Sequence, residues 1–309
     1  MNAPETLDMS GAQLAVVPES IRNLLALAVL DLDRNQLTRL PEWIGELTRL
    51  RSLSLYSNQL VSLPDSVWEL VHLRILNLAD NRFAALPEQM GRLTNLQILD
   101  LGHNQLVSLP GSIGNLSRLE FCYLSNNRLT GLPESFVNLS SLLYLNVTDN
   151  QLTVLPEWIG SLTQLLELRL YRNQFSALPE ALGQLNNLRE LHLMNNKLES
   201  LPQSIGKLAG LRKLMLEGNR LTRLPESIGA LSSLTDLDLR NNALVELPAT
   251  LGDMNNLRYV DLRANRLVDL PASLGGLAKL EKLDLRWNKL SALPDWIQRL
   301  EQRGCTVFV

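Results

Sequence analysis

The fold is decided by an eleven-residue stretch, Leu165-Leu-Glu-Leu168-Arg-Leu170-Tyr-Arg-Asn173-Gln-Phe175, which is followed by Leu178-Pro179. Its pattern, L-x-x-L-x-L-x-x-N-x-(L/F), recurs along the chain at a fixed interval of 23 residues. Thirteen of the 14 prolines keep that interval without any insertion. They are residues 18, 41, 64, 87, 110, 133, 156, 179, 202, 225, 248, 271 and 294. An unbroken period of this length predicts a solenoid in which each repeat packs mainly on its neighbours.

The period also predicts the path of each repeat. Leucines that alternate with variable residues, such as Leu30 and Leu32, indicate a short strand with one buried face. The segment that begins at Leu40-Pro41 returns the chain through a short 3-10 or helical turn, because a proline followed by an acidic residue suits the start of such a turn. Strands one repeat apart run in the same direction, so the sheet is parallel. Closely spaced strands on one side and bulkier turns on the other predict curvature, with the sheet on the concave face.

We predict a single domain over residues 1–309. Residues 1–26 form a leader and a partial repeat, residues 27–302 form twelve full repeats, and residues 303–309 form a capping strand. The asparagine of each repeat is expected to hydrogen-bond the backbone of the adjacent coil, because an amide can both donate and accept. Ala12 replaces it in the first, partial repeat, which has no predecessor to bond.

The motif L-x-x-L-x-L-x-x-N-x-L, joined to L-P-x-x-I-G-x-L, resembles the leucine-rich repeat superfamily. The 23-residue L-P-x-x-I-G variant is similar to the cytosolic class that includes Ras-pathway scaffolds, plant intracellular Ras-group-related proteins and bacterial leucine-rich-repeat proteins. This resemblance covers most of the chain. It implies a right-handed α/β solenoid shaped like a horseshoe, and a protein partner bound on the concave face. A small GTPase or another signalling protein is the partner class that it suggests.

Composition excludes several other classes of function. A net charge of −3 argues against a phosphate-binding track for nucleic acid. The sequence shows no signal peptide and no apolar run of the ~20 residues that would span a bilayer. Cys122 and Cys305 lie about eight repeats apart, or roughly 38 Å at the usual strand spacing, which is too far for a disulfide. We therefore expect reduced thiols in a cytoplasmic, monomeric protein.

The outward-facing positions of the strands carry the functional signal. These positions form three outward columns, which begin at residues 29, 31 and 33 and continue at intervals of 23 residues. All five tyrosines of the protein fall in these columns, where chance would place about one. We predict a protein-binding strip of residues whose types are common in binding hot spots. Its members are Phe121, Tyr123, Tyr144, Arg169, Tyr171, His192, Met194 and Met215. The alternative is that β-propensity alone favours aromatic residues on a sheet face.

A repeated D-x-R pattern marks a secondary set of candidate residues. It consists of Asp238, Arg240, Asp261, Arg263, Asp284 and Arg286, with Trp287 beside it. These charges are expected either to compensate one another between strands or to form a polar docking site.

No catalytic, metal-binding or cofactor-binding motif is present in the sequence. His192 is expected to lack a carboxylate partner in its own strand, and Glu167 and Glu190 are the titratable groups nearest to it. The prediction is a non-enzymatic protein-interaction module, such as a signalling scaffold. Two alternatives stay open: a substrate-recognition arm of a larger effector, receptor or ligase, and a structural spacer.

Overall fold

The structure is a computed structural model that describes residues 4–309; residues 1–3 of the predicted leader lie outside this range. It divides into two compact units, residues 4–151 and residues 152–309. Each unit consists of coils built from a three-residue strand, a turn and a short helical segment. The prediction that residues 1–309 form one domain stays a prediction.

The first unit contains seven strands that pair in parallel and in chain order. They are β1 (Thr6–Asp8), β2 (Val29–Asp31), β3 (Ser52–Ser54), β4 (Ile75–Asn77), β5 (Ile98–Asp100), β6 (Phe121–Tyr123) and β7 (Tyr144–Asn146). Six 3-10 helices return the chain between and after the strands. They span Glu19–Asn23, Glu42–Glu46, Asp65–Glu69, Glu88–Arg92, Gly111–Asn115 and Glu134–Asn138.

The second unit repeats this arrangement with seven further strands in chain order. They are β8 (Glu167–Arg169), β9 (Glu190–His192), β10 (Lys213–Met215), β11 (Asp236–Asp238), β12 (Tyr259–Asp261), β13 (Lys282–Asp284) and β14 (Thr306–Phe308). Its 3-10 helices span Glu157–Ser161, Glu180–Gln184, Gln203–Lys207, Glu226–Ala230, Ala249–Asp253 and Ala272–Gly276. One α-helix, α1 (Trp296–Gln302), precedes β14.

The parallel sheet and the 3-10 turns are confirmed, and so are strands at both predicted ends. β1 pairs with β2 in the partial N-terminal repeat, and β14 pairs with β13 at the C-terminal end. The proline prediction is wrong by one residue, because Pro41 lies before the helix in extended conformation and its carbonyl accepts the N–H of Ile44. No helix in residues 4–309 has the length and hydropathy that crossing a bilayer requires.

The core of each unit is mostly leucine, and the middle residue of every strand except β1 and β14 is almost fully buried. The motif glycines allow the coils to approach closely on the opposite side. A methyl group at Gly114 would lie 2.5 Å from the carbonyl oxygen of Ser135 on the next coil. Only a hydrogen atom fits at this position, which explains the I-G pair of the motif.

The asparagines bond coil to coil, as the sequence predicts. Asn104 Nδ2 donates to the carbonyl oxygens of Leu78 on the preceding coil at 3.0 Å and of Leu101 on its own coil at 3.1 Å. Its Oδ1 accepts the N–H of Phe83 on the preceding coil at 3.0 Å. The first coil has Ala12 in place of the asparagine. Asn35 on the second coil bonds Met9 and Leu14 of the first coil in the same way. The pattern recurs throughout each unit.

Replacing Asn104 by leucine should therefore lower the free energy of unfolding by on the order of 1–3 kcal/mol, because several buried backbone groups lose their partner. Gln105→Leu is the matched control, since Gln105 is the next residue on the same coil and is exposed. Urea denaturation of both variants measures the difference. Equal stability of the two variants would contradict the structural role of the asparagine.

Candidate protein-binding face

The outward side of the strands, termed here the strand face, carries the residues that flank the buried middle residue of each strand. In the first unit, Phe121, Tyr123 and Tyr144 form an aromatic cluster on β6 and β7. The ring centroids of Tyr123 and Tyr144 lie 4.9 Å apart, and those of Phe121 and Tyr144 lie 6.4 Å apart. All three side chains are half-buried. Tilted rings at these distances stabilise each other and leave apolar surface exposed.

The parallel pairing explains why these rings meet. Phe121 lies opposite Tyr144 in the register of β6 and β7. Cys122, between Phe121 and Tyr123, points into the core and is fully buried. Burial raises the pKa of its thiol, so that the group stays protonated and unreactive. Cys122 and Cys305 are both free and buried.

In the second unit, a polar network extends across β8, β9 and β10. His192 Nε2 lies 3.1 Å from Glu190 and 3.8 Å from Glu167. Arg169 bonds Glu167, and Lys213 Nζ lies 2.9 Å from Glu190. The expectation that His192 lacks a carboxylate partner in its own strand is therefore wrong. Glu190 and His192 are two residues apart, and side chains at that spacing share one face of a strand.

The pKa values of this network follow from burial and charge. Burial lowers the pKa of His192 more than the neighbouring carboxylates raise it. Burial raises the pKa of Glu190, but its hydrogen bonds with Lys213 and His192 outweigh that effect and lower it on balance. His192 is therefore largely neutral at neutral pH, while Glu190 is ionised.

Glu167, Glu190 and His192 can each offer one ligand atom within 4.8 Å of the others, a spacing that could hold a metal ion. Each carboxylate already bonds a cationic side chain, Arg169 or Lys213. This arrangement is that of an ion-pair cluster. The predictions of no metal site and no catalytic residue stay predictions.

The other predicted members of the strip lie beside this network. Tyr171 and Met194 follow β8 and β9, and Met215 is the last residue of β10, opposite His192 in the strand register. All three side chains are half-buried. The eight predicted strip residues thus divide between the units, three in the first and five in the second.

The D-x-R residues pair within each strand segment. Arg263 bonds Asp261 at 2.6 Å, Arg286 bonds Asp284 at 2.7 Å, and Arg240 Nε lies 3.2 Å from Asp238. Two pairs join neighbouring coils, because Arg263 Nε lies 3.4 Å from Asp284 and Arg240 bonds Glu217 at 2.7 Å. The Asp284 side chain is completely buried, so it holds the arginines in place and is not offered to a partner.

Trp287 is the most exposed large apolar residue of the described chain, at 71%. Its φ of +61° places it in the left-handed region, which is costly for a bulky L-residue. Every preceding coil of the described chain also has a residue with positive φ at this position, and five of these residues are asparagine or aspartate, which tolerate this conformation. The Arg286 guanidinium lies 5.6 Å from the centre of the Trp287 ring.

A small cavity of about 200 Å³ opens on the strand face between β10 and β13. Three of its lining residues, Asp236, Tyr259 and Lys282, were not singled out by the sequence analysis. They occupy the first outward column, where no D-x-R pattern draws attention to them. The other polar lining residues, Asp238 and Asp261, belong to the predicted secondary set.

Comparison with known proteins defines the class of this chain. A leucine-rich repeat region profile matches residues 59–128 and 105–201, and a leucine-rich repeat profile matches residues 6–60, 186–244, 209–267 and 233–290. The chain belongs to the leucine-rich repeat superfamily, whose members commonly act as protein-interaction modules. No match was found among the curated proteins.

Solved structures show the same fold. A leucine-rich-repeat protein of Leptospira interrogans is 34% identical with a TM-score of 0.88, and the match covers 96% of this chain and 82% of that one. The ectodomain of the Arabidopsis thaliana receptor kinase GASSHO1/SCHENGEN3, in complex with CASPARIAN STRIP INTEGRITY FACTOR 2, is 32% identical with a TM-score of 0.71. The plant peptide hormone receptor RGFR1, in complex with RGF2, is 31% identical with a TM-score of 0.76. These two matches cover 95% and 98% of this chain but only 42% and 55% of the receptors.

Asp238 provides a pH-dependent test of the ion-pair geometry. Burial raises its pKa to about 6, although the backbone N–H and the charge of Arg240 oppose the shift. A carboxyl whose pKa is raised on folding contributes stability below its unfolded pKa, and that contribution is lost as pH rises through about 6. Relative to Asp238→Asn, the wild type should lose about 2–3 kcal/mol of unfolding free energy between about pH 4 and pH 7.

Urea denaturation of both proteins across this range gives the difference directly, since Asp238→Asn removes this one titration and leaves the others in place. A wild type that gains stability relative to Asp238→Asn as pH rises would show that Arg240 dominates over burial.

Proposed function

We propose that this chain is a non-enzymatic protein-binding module whose partner contacts the strand face. The observation that carries the proposal is the aromatic cluster of Phe121, Tyr123 and Tyr144. Aromatic side chains dominate binding hot spots, because a large rigid surface is buried at a low cost in conformational entropy. Here three half-exposed rings lie side by side on the side of the sheet that faces away from the core.

The second unit adds residues suited to orienting a partner. Arg169, Lys213 and His192 present hydrogen-bond donors, while Tyr171, Met194 and Met215 present apolar surface. Polar groups held by fixed neighbours confer specificity, because a mismatched partner would leave them unpaired. We assign these residues to the contact surface of the second unit.

A secondary contact is proposed at Arg240, Arg263, Arg286 and Trp287. The exposed indole of Trp287 supports it, because a large apolar side chain exposed beside arginines is typical of interaction sites. Asp261 and Asp284 hold Arg263 and Arg286 in fixed orientations. Guanidinium groups held in fixed orientations beside an indole suit the hydrogen-bond acceptors of a partner.

The receptor complexes support a protein or peptide as the partner class, since these receptors share this fold and are solved in complex with CASPARIAN STRIP INTEGRITY FACTOR 2 and with RGF2. The repeat class and the two buried free cysteines favour a cytoplasmic signalling scaffold, for which a small GTPase is a candidate partner. If a catalytic domain belongs to the same protein, the chain acts as its recognition arm. If no partner exists, the chain is a spacer.

The double variant Tyr123→Ala/Tyr144→Ala should lose its partner while remaining folded. Quantitative affinity purification from the native host, with the wild type and variants as baits, should show at least one protein retained about tenfold less by the double variant. Val61→Ala/Val107→Ala is the matched control, because both valines are exposed in the same unit and lie away from the strands.

The control should retain the partner at the wild-type level, and the melting temperatures of both variants should stay within a few degrees of the wild type. A partner lost equally from both double variants would assign binding elsewhere. A set of bound proteins unchanged by the tyrosine substitutions would reject the strand-face proposal.

A further inference from the structure

A second, chemically different cavity lies in the first unit at the N-terminal ends of β2, β3 and β4. Its volume is about 460 Å³, a size typical of small-molecule sites. Its lining is mostly polar and consists of Glu5, Ala26, Ala28, Arg49, Arg51, His72, Arg74 and Asn95. The cavity shares no residue with the aromatic cluster.

The 23-residue period places these side chains together. The N–H of Arg51 donates to Ala28 and the N–H of Arg74 donates to Arg51, each at 2.8 Å, so that residues 28, 51 and 74 are stacked on consecutive coils. Residues 26, 49 and 72 precede them by two positions on the same coils. Ala26 and Ala28 leave a recess on the first of these coils, and larger basic residues project from the next two.

The cationic side chains of the cavity are not neutralised by the protein. Among residues 4–309, no carboxylate lies within ion-pair distance of Arg49, Arg51 or Arg74. Other arginines of the chain do find one. Arg22 pairs with Glu46 in the same unit, and Arg258, which occupies the same repeat position as Arg51 and Arg74, pairs with Glu281 on the following coil.

The reason for this difference is visible in the sequence. The coil after Arg74 supplies Gln97 where the coil after Arg258 supplies Glu281. Glu5 is the one carboxylate of the lining, against three guanidinium groups. In a protein with a net charge of −3, this cavity is a local concentration of uncompensated positive charge.

We propose that this cavity, the arginine cavity, binds a phosphate group of a small phosphorylated molecule. Guanidinium groups donate paired N–H bonds that match the oxygens of phosphate, and these charge-assisted bonds are stronger than neutral ones. His72 adds a ring N–H donor. A dianionic phosphate also relieves the repulsion among the three arginines, which a single carboxylate does less well.

Isothermal titration of the full chain with inorganic pyrophosphate at constant ionic strength tests this proposal. The wild type should give saturable binding, and Arg51→Gln/Arg74→Gln should weaken it at least tenfold. Arg189→Gln/Arg212→Gln is the matched control. These arginines occupy the same repeat position in the second unit, but their neighbours are Asn187 and Gly210 in place of Arg49 and His72. The control should bind within twofold of the wild type.

Ala26→Leu/Ala28→Leu separates a shaped site from a general charge effect, because it fills the recess and leaves every charge in place. It should also abolish pyrophosphate binding. An absence of saturable binding to the wild type, an equal loss in the two arginine variants, or full binding by the filled variant would overturn the proposal.

The source of the phosphate group is distinguished by sedimentation with phosphatidylcholine vesicles that contain phosphatidylinositol phosphate. Retention of the wild type, but not of Arg51→Gln/Arg74→Gln, on these vesicles would assign the group to a lipid headgroup. Pyrophosphate binding without vesicle retention would assign it to a soluble molecule.

Discussion

The structure depends on one interaction, the hydrogen bonding of each asparagine side chain to the backbone of the preceding coil. Asn104 donates to Leu78 and accepts from Phe83, and both of these residues belong to the coil before it. An amide buried without such partners would be strongly destabilising, and so would the backbone groups that it satisfies. Because each asparagine bonds two coils, it fixes the register between the consecutive turns that follow the strands.

A fixed register has a functional consequence, because residues 23 positions apart become neighbours on consecutive coils. Tyr144 lies beside Phe121 for this reason, and Arg74 stacks on Arg51 for the same reason. Residues at the same position of consecutive repeats therefore form a continuous surface. The framework leucines and asparagines determine where a side chain lies, and the variable positions determine its chemistry.

Much of this arrangement could be predicted from the sequence, since every framework rule is repeated in many coils. The inward leucines, the outward tyrosines and the bonds of the asparagines needed no knowledge of individual conformations. The partners of charged side chains were harder to predict. The pairing of His192 with Glu190 and the burial of Asp284 depend on side-chain rotamers and local crowding, which the repeat pattern does not determine.

The arginine cavity was missed for a different reason. Its residues lie before the strands and not at the outward strand positions, and two of them, Ala26 and Ala28, contribute only by being small.

The proline position was misjudged by one residue because proline suits both the residue before a helical turn and its first residue. In the structure, the carbonyl of Pro41 is needed as an acceptor for the N–H of Ile44, which places the proline before the turn.

Amide hydrogen exchange of the native protein tests the asparagine constraint most directly. The N–H groups of Phe83 and Leu106 bond only to the side chains of Asn104 and Asn127 on the following coils, at 3.0 and 2.9 Å. If these bonds hold the coils together, both amides should exchange as slowly as the amide of Leu101, which bonds the backbone of Tyr123. Exchange as fast as that of the exposed residue Val107 would contradict this account.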